Sequence, residues 1–307
     1  MPGEQHATGV GALFNPSMHR FVERSLDALD YLAVIPDRGW LDGGVGSRPR
    51  FQILPDLEAL LDRVAGRLPT VLHGIGLSIC SAEMFDEEYA LNLIEWANRV
   101  DAPWISEHLA FSRVGTGHEV NAALLASVPY DWEVLDLLVP RIRFFVERWN
   151  RPFLLENNVC YVRYPDQELT EEQFLNELCD RYGCGVLLDL HNLHTNAVNH
   201  EFSATTYLKD LNLDHVVEIH IAGGVPMMGF HTDSHTGPVI EPVWQLLEQT
   251  VPRAANLRGV TFEFHESSYG VLGEVGIHEQ IDRARVIVRA GPGAVTDVIP
   301  GIPAGGR

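Results

Sequence analysis

Short apolar runs alternate along the chain with longer amphipathic stretches. The stretches 85–100, 130–149 and 171–182 carry apolar residues three or four positions apart, which predicts helices. The apolar runs have the length of strands, and strands that alternate with helices predict a parallel sheet. Eight such runs recur: GVGALF (9–14), YLAVIP (31–36), TVLHGIGLS (70–78), WISEHLAFS (104–112), FLLENN (153–158), GVLLDLHN (185–192), VVEIHIAG (216–223) and GVTFEF (259–264).

Eight strand and helix repeats in about 250 residues are typical of a closed (β/α)₈ barrel. An open doubly wound sheet is the alternative, but no GxGxxG follows the first run, which disfavours a nucleotide-binding form of that fold. We therefore predict an α/β protein with a single TIM-barrel catalytic domain at residues 1–290. The Gly- and Pro-rich segment 291–307 is predicted to be a flexible tail.

Most of the predicted strands change from apolar to ionisable residues near their ends. In a (β/α)₈ barrel the carboxyl ends of the strands meet at one mouth, so these residues converge although they are scattered in sequence. The loop after the seventh run contributes two more residues of the same kind. The candidates are His73, His108, Glu156, Asp189, His191, His220 and Glu263 from the runs, and Asp233 and His235 from the loop.

Strand alternation refines the orientation of these side chains. Asp189 and His191 are two apart, so in a strand they would face the same side. Glu107 and His108 are neighbours that do not share a face of a regular strand, and we expect His108 to point inward.

The chemistry of this set indicates metal. A single histidine at a strand end is usually structural, and a single Asp or Glu there is often a helix cap. Many carboxylates together, with no Lys or Arg at the same strand ends, would repel one another unless metal ions balanced their charge. Imidazole and carboxylate ligands suit iron, manganese or zinc, and the size of the set indicates more than one ion. We thus expect a xylose-isomerase-like barrel with a metal centre at its C-terminal mouth.

Charge and cysteine content narrow the partners. The chain has 22 Lys and Arg against 42 Asp and Glu, a formal net charge of −20, which argues against nucleic acid or an anionic membrane as partner. The four cysteines form no CxxC pair, so a reducing cytoplasm is the expected location. The N-terminal residues 1–11 lack a basic segment followed by an apolar run, so we expect no secretion signal.

Seven motifs in this chain resemble those of the multinuclear non-haem iron-dependent oxidative enzymes, TIM-barrel relatives of the iron enzyme of methanobactin biosynthesis. The resemblance covers roughly residues 9–290, and the motifs occur in the order found in that family. They are HGIGLS (73–78), SEHLAFS (106–112), ENN (156–158), LLDLHNLHTNAVNH (187–200), EIHIAGG (218–224), DSH (233–235) and PVW (242–244).

The resemblance implies a centre of two or three iron ions that uses dioxygen as co-substrate. The implied substrate is a ribosomally made precursor peptide, modified most often at cysteine, and family members usually work with a partner protein that binds the peptide leader. By the same resemblance, a first iron lies near His73 and His108 with Glu156 as a bridging carboxylate; a second is held by Glu156, Asp189, His220 and Glu263; a third site draws on His191, Asp233 and His235.

Within this set we name Glu156, Asp189 and His191 as the candidate catalytic residues. His191 stands where many members carry Asn, and an imidazole is a stronger donor to a divalent metal than an amide oxygen. The second run ends in AVIPDRGW (33–40), without the Glu-Asn often seen nearby in the family. Candidates for orienting the ligands are Glu107, Asn157, Asn158, Asn192 and Glu218.

Two other functions stay open at this point. Xylose-isomerase-like barrels also include metal-dependent hydrolases and sugar isomerases, and fold alone does not choose among these chemistries. A non-enzymatic metal-binding or peptide-binding scaffold is the third possibility, disfavoured because barrel mouths rich in ionisable residues are where catalysis is normally built.

Overall fold

The computed structural model of the protein describes residues 9–115 and 120–291. Eight parallel strands form a closed barrel in which each strand pairs with the next along the chain and the eighth pairs with the first. The prediction of a (β/α)₈ barrel is thus confirmed. The strands are β1 (Gly9–Leu13), β2 (Tyr31–Val34), β3 (Thr70–Gly74), β4 (Ile105–His108), β5 (Phe153–Glu156), β6 (Gly185–Asp189), β7 (Val216–Ala222) and β8 (Gly259–Glu263).

Helices connect the strands and cover the barrel. Short antiparallel strand pairs decorate three of the loops, at Trp40–Asp42 with Phe51–Ile53, Phe111–Val114 with Val120–Ala126, and Pro226–Met227 with Phe230–His231. The α-helices of the described residues are α1 (His19–Ser25), α2 (Pro55–Val64), α3 (Glu87–Arg99), α4 (Trp132–Arg148), α5 (Glu171–Tyr182), α6 (Leu190–His200), α7 (Ala204–Asp210), α8 (Glu241–Thr250) and α9 (Tyr269–Arg289).

Side-chain capping explains where the three predicted helices begin. Asp86 and Asp131 precede α3 and α4, and each carboxylate accepts a hydrogen bond from a backbone N–H of the first turn. Thr170 and Gln173 form a reciprocal capping box at the start of α5. Because these caps satisfy N–H groups that have no partner within the helix, they fix each start to within two residues of the predicted one.

The core has two parts because strand residues alternate between the two faces of the barrel wall. Val186 and Leu188 of β6 face outward and join the large core beneath the helices. Leu187 faces inward with Tyr31 and Trp104 in a small core that fills the lower part of the barrel. The inner core closes the barrel below the mouth, so the ionisable side chains above it rest on a packed floor.

A bulge in β7 sets which of its residues face inward. Val186 pairs with Val216, but the next residue, Leu187, pairs with Glu218, so Val217 is the extra residue. Beyond the bulge, Glu218 and His220 point into the barrel, as Leu187 does.

Three predictions need comment. The run 185–192 is a strand only as far as Asp189, because the helix α6 begins at Leu190. Gly291 lies in the described structure, but the remainder of the predicted tail lies outside the described residues, and the boundary of the catalytic domain stays a prediction. Within residues 9–115 and 120–291 no helix is long and apolar enough to cross a membrane.

Candidate metal centre

The nine candidate ligands lie together at the carboxyl ends of the barrel strands. His191 stands in the first turn of α6, and Asp233 and His235 come from the loop between β7 and α8. The other six come from six consecutive strands: His73 (β3), His108 (β4), Glu156 (β5), Asp189 (β6), His220 (β7) and Glu263 (β8).

These residues form four overlapping groups of three. In each group one potential ligand atom per residue lies within 4.8 Å of the others, a spacing that a single metal ion can bridge. Glu156, Asp189 and His235 each belong to two groups. The four groups are therefore neighbours in one cluster. The groups are His73, His108 and Glu156; Glu156, Asp189 and His220; Asp189, His235 and Glu263; and His191, Asp233 and His235.

His108 presents an unprotonated nitrogen to a carboxylate. Its Nδ1 lies 3.1 Å from the carbonyl oxygen of Gly74, which only accepts hydrogen bonds, so Nδ1 carries the proton. In the neutral ring Nε2 then bears a lone pair, and it faces Glu156 Oε2 at 3.3 Å. Two acceptors facing each other repel, and a cation between them removes the repulsion.

His73 repeats this arrangement from the neighbouring strand. The Ser106 hydroxyl lies 3.0 Å from His73 Nδ1 and 3.4 Å from the carbonyl oxygen of Leu72, which only accepts. When the hydroxyl donates to Leu72, it accepts from Nδ1, and the lone pair of the neutral ring is on Nε2, 3.4 Å from Glu156 Oε2. Both histidines thus aim a donor atom at the same carboxylate oxygen, with the opposite ring nitrogen fixed by the protein, as is typical of metal ligands.

Asp189 serves two purposes at the start of α6. Its Oδ1 accepts from the N–H of Asn192 at 2.7 Å and caps the helix. The side-chain amide of Asn157 binds both the N–H and the carbonyl of Asp189, at 2.8 and 3.0 Å, which fixes the backbone there. Asp189 Oδ2 is buried without a hydrogen-bond partner among the described residues, so the cap leaves one oxygen for a ligand.

His235 joins the third and fourth groups. Its Nε2 lies 2.5 Å from Asp233 Oδ1, and its Nδ1 lies 3.0 Å from Glu263 Oε1. His191 Nδ1 faces the same Asp233 oxygen at 3.7 Å. His235 has a φ of 46°, in the left-handed region that side-chain-bearing residues rarely adopt. Such backbone strain is concentrated at functional sites, where the surrounding structure holds it in place.

When no cation is present, burial favours the neutral forms of some of these groups, and ion pairing favours the charged forms of others. Although burial opposes the shift, neighbouring carboxylates raise the pKa of His220 and His235 well above the usual range, and both rings lower the pKa of Glu263 well below its own.

Burial lowers the pKa of His73 well below its usual range, which keeps the ring in its metal-binding form. Burial raises the pKa of Glu156 well above its usual range, and the charges of Asp189 and Glu263 raise it further. Burial also raises the pKa of Asp189, to about 6. A multivalent cation would reverse these carboxyl shifts.

The residues fit a metal centre. Imidazole nitrogens and carboxylate oxygens make up the donor set. Several of those atoms are buried with no hydrogen-bond partner in the part of the chain that the structure describes, a costly state that metal ligation would relieve. These atoms are Glu156 Oε2, Asp189 Oδ2, His191 Nδ1, both ring nitrogens of His220, and His235 Nε2.

One side of the cluster is open to solvent. The side chains of Asp233 and His235 are 34% and 19% exposed, whereas those of His73 and Glu156 are each 3% exposed. The loop that carries Asp233 also carries the hairpin at 226–231. The cluster is therefore accessible to solvent on the side of this loop.

The structure changes two details of the predicted site, and it agrees with the expectation that His108 rather than Glu107 points inward. His191 does not share a strand with Asp189, because α6 begins between them, yet the first helical turn still brings it to the cluster. Glu263 lies as close to His235 as to His220, at 3.0 and 3.2 Å, and so belongs to a fourth group that the sequence did not predict. Glu107 is buried but stays outside the groups, and its carboxylate accepts from the N–H of His108.

Sequence analysis missed Tyr161, whose hydroxyl accepts a hydrogen bond from the N–H of Asp233 at 3.0 Å. This contact joins the loop after β5 to the loop after β7. No spacing rule predicts it, because the two residues are far apart in the chain.

Comparison with known proteins decides the family. The sequence model for the RiPP precursor modification enzymes MbnB/TglH/ChrH matches residues 9–270, where RiPP denotes a ribosomally synthesised and post-translationally modified peptide. The chain belongs to the MbnB/TglH/ChrH family. This is the multinuclear iron enzyme family that the motifs resembled, so that prediction is confirmed.

Relatives of the MbnB/TglH/ChrH protein described here occur in several bacteria. A UPF0276 protein of Rhizorhabdus wittichii is 36% identical over 226 residues, which cover 74% of this chain and 76% of the relative. A UPF0276 protein of Caulobacter vibrioides is 33% identical over 246 residues, covering 80% and 83% of the two chains.

Solved structures with a similar fold include sugar epimerases. D-psicose 3-epimerase from Clostridium cellulolyticum H10 aligns with a TM-score of 0.59 at 11% identity, covering 92% of this chain and 99% of the epimerase. The IOLI protein, solved with a bound zinc atom, aligns with a TM-score of 0.53 at 13% identity, covering 92% and 97%. At such identities the likeness shows the xylose-isomerase-like barrel alone, as predicted, and not the reaction.

Proposed function

We propose that this MbnB/TglH/ChrH family member is an iron- and dioxygen-dependent oxidoreductase that modifies cysteine residues of a ribosomally made precursor peptide. The observation that carries the proposal is the cluster of four histidine and carboxylate groups that overlap through Glu156, Asp189 and His235. Shared carboxylates of this kind suit two or three adjacent ions better than one isolated ion.

The proposed ligand sets follow the geometry of the groups. Iron bound by them supplies the one-electron chemistry that lets dioxygen react with a peptide. Glu156, Asp189 and His191 are the proposed catalytic residues, since the first two link adjacent groups and His191 lies near the open side. We assign His73, His108 and Glu156 to a first ion; Glu156, Asp189 and His220, with Glu263, to a second; and His191, Asp233 and His235 to a third.

The protein's own residues orient these ligands and exclude water. Asn157 and Asn192 fix Asp189, and the Asn192 amide also approaches Glu156 Oε1 at 3.5 Å. The packed inner core below the cluster leaves the mouth as the route of access.

The open side of the cluster is suited to a peptide substrate. The hairpin at 226–231 exposes Met227, Met228 and Phe230, with Met228 95% and Phe230 57% exposed. Tyr161 and Val162, in the loop that contacts Asp233, are also exposed. Apolar side chains beside a polar site favour a substrate with apolar residues next to the reacting one, which a peptide offers and a sugar does not.

The proposal also places the protein in the cytoplasm with two partners. These are the precursor peptide and a protein that binds its leader segment. The cysteines of this chain are free thiols, as expected for a reducing compartment. Nucleic acid and membranes are not proposed as partners, because the net charge of −20 opposes both.

The test is anaerobic reconstitution with Fe²⁺, followed by addition of oxygen and a short cysteine-containing candidate precursor peptide chosen from the neighbouring reading frames. We expect the peptide mass to change with wild-type protein and to stay unchanged with Glu156→Gln. Glu171→Gln is the matched control, since Glu171 is also a buried glutamate but lies on α5, where it accepts from Tyr130. Wild-type protein that binds zinc alone and isomerises a sugar or hydrolyses a substrate would contradict the proposal.

A further inference from the structure

A buried carboxylate lies directly beneath the metal cluster. Glu218 is fully buried and stands two residues before His220 on β7, just past the bulge. Trp104 Nε1 donates to Glu218 Oε2 at 2.6 Å, and the Thr261 hydroxyl donates to Oε1 at 2.6 Å. Each oxygen of this carboxylate therefore accepts one short hydrogen bond from a buried side chain.

The donors to Glu218 are themselves fixed. Since the Thr261 hydroxyl gives its proton to Glu218, its oxygen accepts from the Tyr31 hydroxyl at 2.6 Å. Tyr31 and Trp104 pack edge to face with ring centroids 5.4 Å apart. A Cβ on Gly259 would lie 2.5 Å from the Tyr31 hydroxyl oxygen, so the absence of a side chain there makes room for the tyrosine. The network is thus part of the packed floor.

The same carboxylate faces the ring of His220. His220 Nε2 lies 3.4 Å from Glu218 Oε1 without forming a regular hydrogen bond to it in the metal-free protein, and His220 Nδ1 lies 3.2 Å from Glu263 Oε2, on the side of the candidate ligands. Because both nitrogens face carboxylates, the metal decides the tautomer. A cation bound beside Glu263 would take the Nδ1 lone pair, and Glu218, which only accepts, would then keep the proton on Nε2. His73 and His108 show the opposite arrangement, with Nδ1 protonated and Nε2 facing the cluster.

We propose that Glu218 is a positioning residue that fixes the Nε2–H tautomer of His220, so that His220 binds metal through Nδ1 while His73 and His108 bind through Nε2. Trp104 and Thr261 hold Glu218 in the orientation that this requires. The inference rests on the metal centre of the proposed function and adds a residue outside the ligand groups. Carboxylates that orient a metal-binding histidine typically contribute 10–100-fold to metal affinity.

The test uses metal alone, without peptide or oxygen. Anaerobic Co²⁺ titration with a competing chelator compares wild type with Glu218→Gln, Thr261→Val and the control Glu171→Gln. We expect Glu218→Gln to weaken one class of Co²⁺ sites by about 10–100-fold, Thr261→Val to weaken it less, and Glu171→Gln to bind as wild type does. Long-range ¹H–¹⁵N NMR of the Zn²⁺-loaded protein, labelled at histidine, should show one metal-bound ring with a protonated Nε2.

The outcomes separate this inference from the proposed function. Wild-type Co²⁺ affinity in Glu218→Gln, or Nδ1 protonation of every metal-bound histidine, would overturn the inference. If Glu218→Gln does not fold, Thr261→Val decides, because it keeps the carboxylate, and wild-type binding by that variant would also count against the inference. If the wild-type protein binds metal but does not modify the peptide, the proposed function is contradicted. The role of Glu218 is then still supported by weakened Co²⁺ binding in Glu218→Gln. If the wild-type protein takes up neither Co²⁺ nor Zn²⁺ nor Fe²⁺, both the inference and the proposed function are overturned.

Discussion

The backbone of Gly224 lies against the imidazole of His191, where a Cβ on the glycine would be 2.3 Å from His191 Nε2. No real Cβ approaches an atom so closely, and the ring is buried, so it has little room to withdraw. The second glycine of the EIHIAGG motif therefore makes space for the imidazole of His191.

Gly224→Ala should displace His191 and weaken metal binding by the group of His191, Asp233 and His235. We expect a loss of about 1–3 kcal/mol in the free energy of unfolding of the metal-free protein, together with easier removal of one metal by a chelator. Gly270→Ala is the control, because a Cβ on that helical glycine meets no atom within 4 Å. Thermal unfolding and chelator titration make the measurement, and equal behaviour of the two variants would count against the packing argument.

His191→Asn replaces an imidazole by an amide and should weaken metal binding by the group of His191, Asp233 and His235 without unfolding the protein. An amide oxygen is a poorer donor than imidazole, so the most weakly bound iron should dissociate at a lower chelator concentration. His194→Asn, on the next turn of α6 and outside the four groups, serves as control. Iron content after graded chelation would reveal the difference, and identical curves for His191→Asn and wild type would remove His191 from the proposed ligands.

The hairpin at 226–231 should contribute to peptide affinity. Replacing Met228 and Phe230 together by serine should raise KM for the peptide by on the order of 10-fold with little change in kcat, because burying one large apolar side chain contributes about 1.5–3 kcal/mol. Val286→Ser on α9 removes an equally exposed apolar side chain away from the mouth. A KM unchanged by the double substitution would show that the peptide approaches by another route.

Stability should depend on pH through Glu171. Burial raises the pKa of this carboxyl from 4.5 to about 7, although the Tyr130 hydroxyl partly opposes the shift. The folded state therefore holds the proton more tightly than the unfolded chain. The stabilisation is complete below pH 4.5 and is lost as the pH rises through 7.

Glu171→Gln imitates the protonated form at every pH. We expect it to be more stable than wild type by up to about 3 kcal/mol at pH 8 and similar to wild type at pH 4.5, measured by urea unfolding at the two pH values. Glu172→Gln, in the same helical turn, controls for the change of net charge. A pH-independent difference between Glu171→Gln and wild type would show that Glu171 is not the group responsible.

Much of the fold and the site was predictable from local sequence. The barrel followed from eight apolar runs, and six strand-end ligands, such as His73 and Glu156, followed from the abrupt change to ionisable residues. These features depend on one strand at a time, which is what periodicity records.

Features that depend on several segments were not predictable. The extra residue Val217 in β7 changes which side chains face inward, and an apolar run does not reveal it. The helix begins at Leu190 because Asp189 acts as its cap, so His191 reaches the cluster by a route that strand alternation does not describe. The hydrogen bond between Tyr161 and Asp233 exists only once two loops meet.

The candidate ligands come from six consecutive strands, from the first turn of α6 and from the loop after the seventh strand. Metal ions held by them would cross-link segments that are far apart in the chain, from β3 to β8. Such a cross-link forms only after the barrel has closed, because the ligands have no common location before then. Metal uptake would then be the last step in assembly, and the loaded protein would resist the departure of any one strand more strongly than the metal-free barrel does.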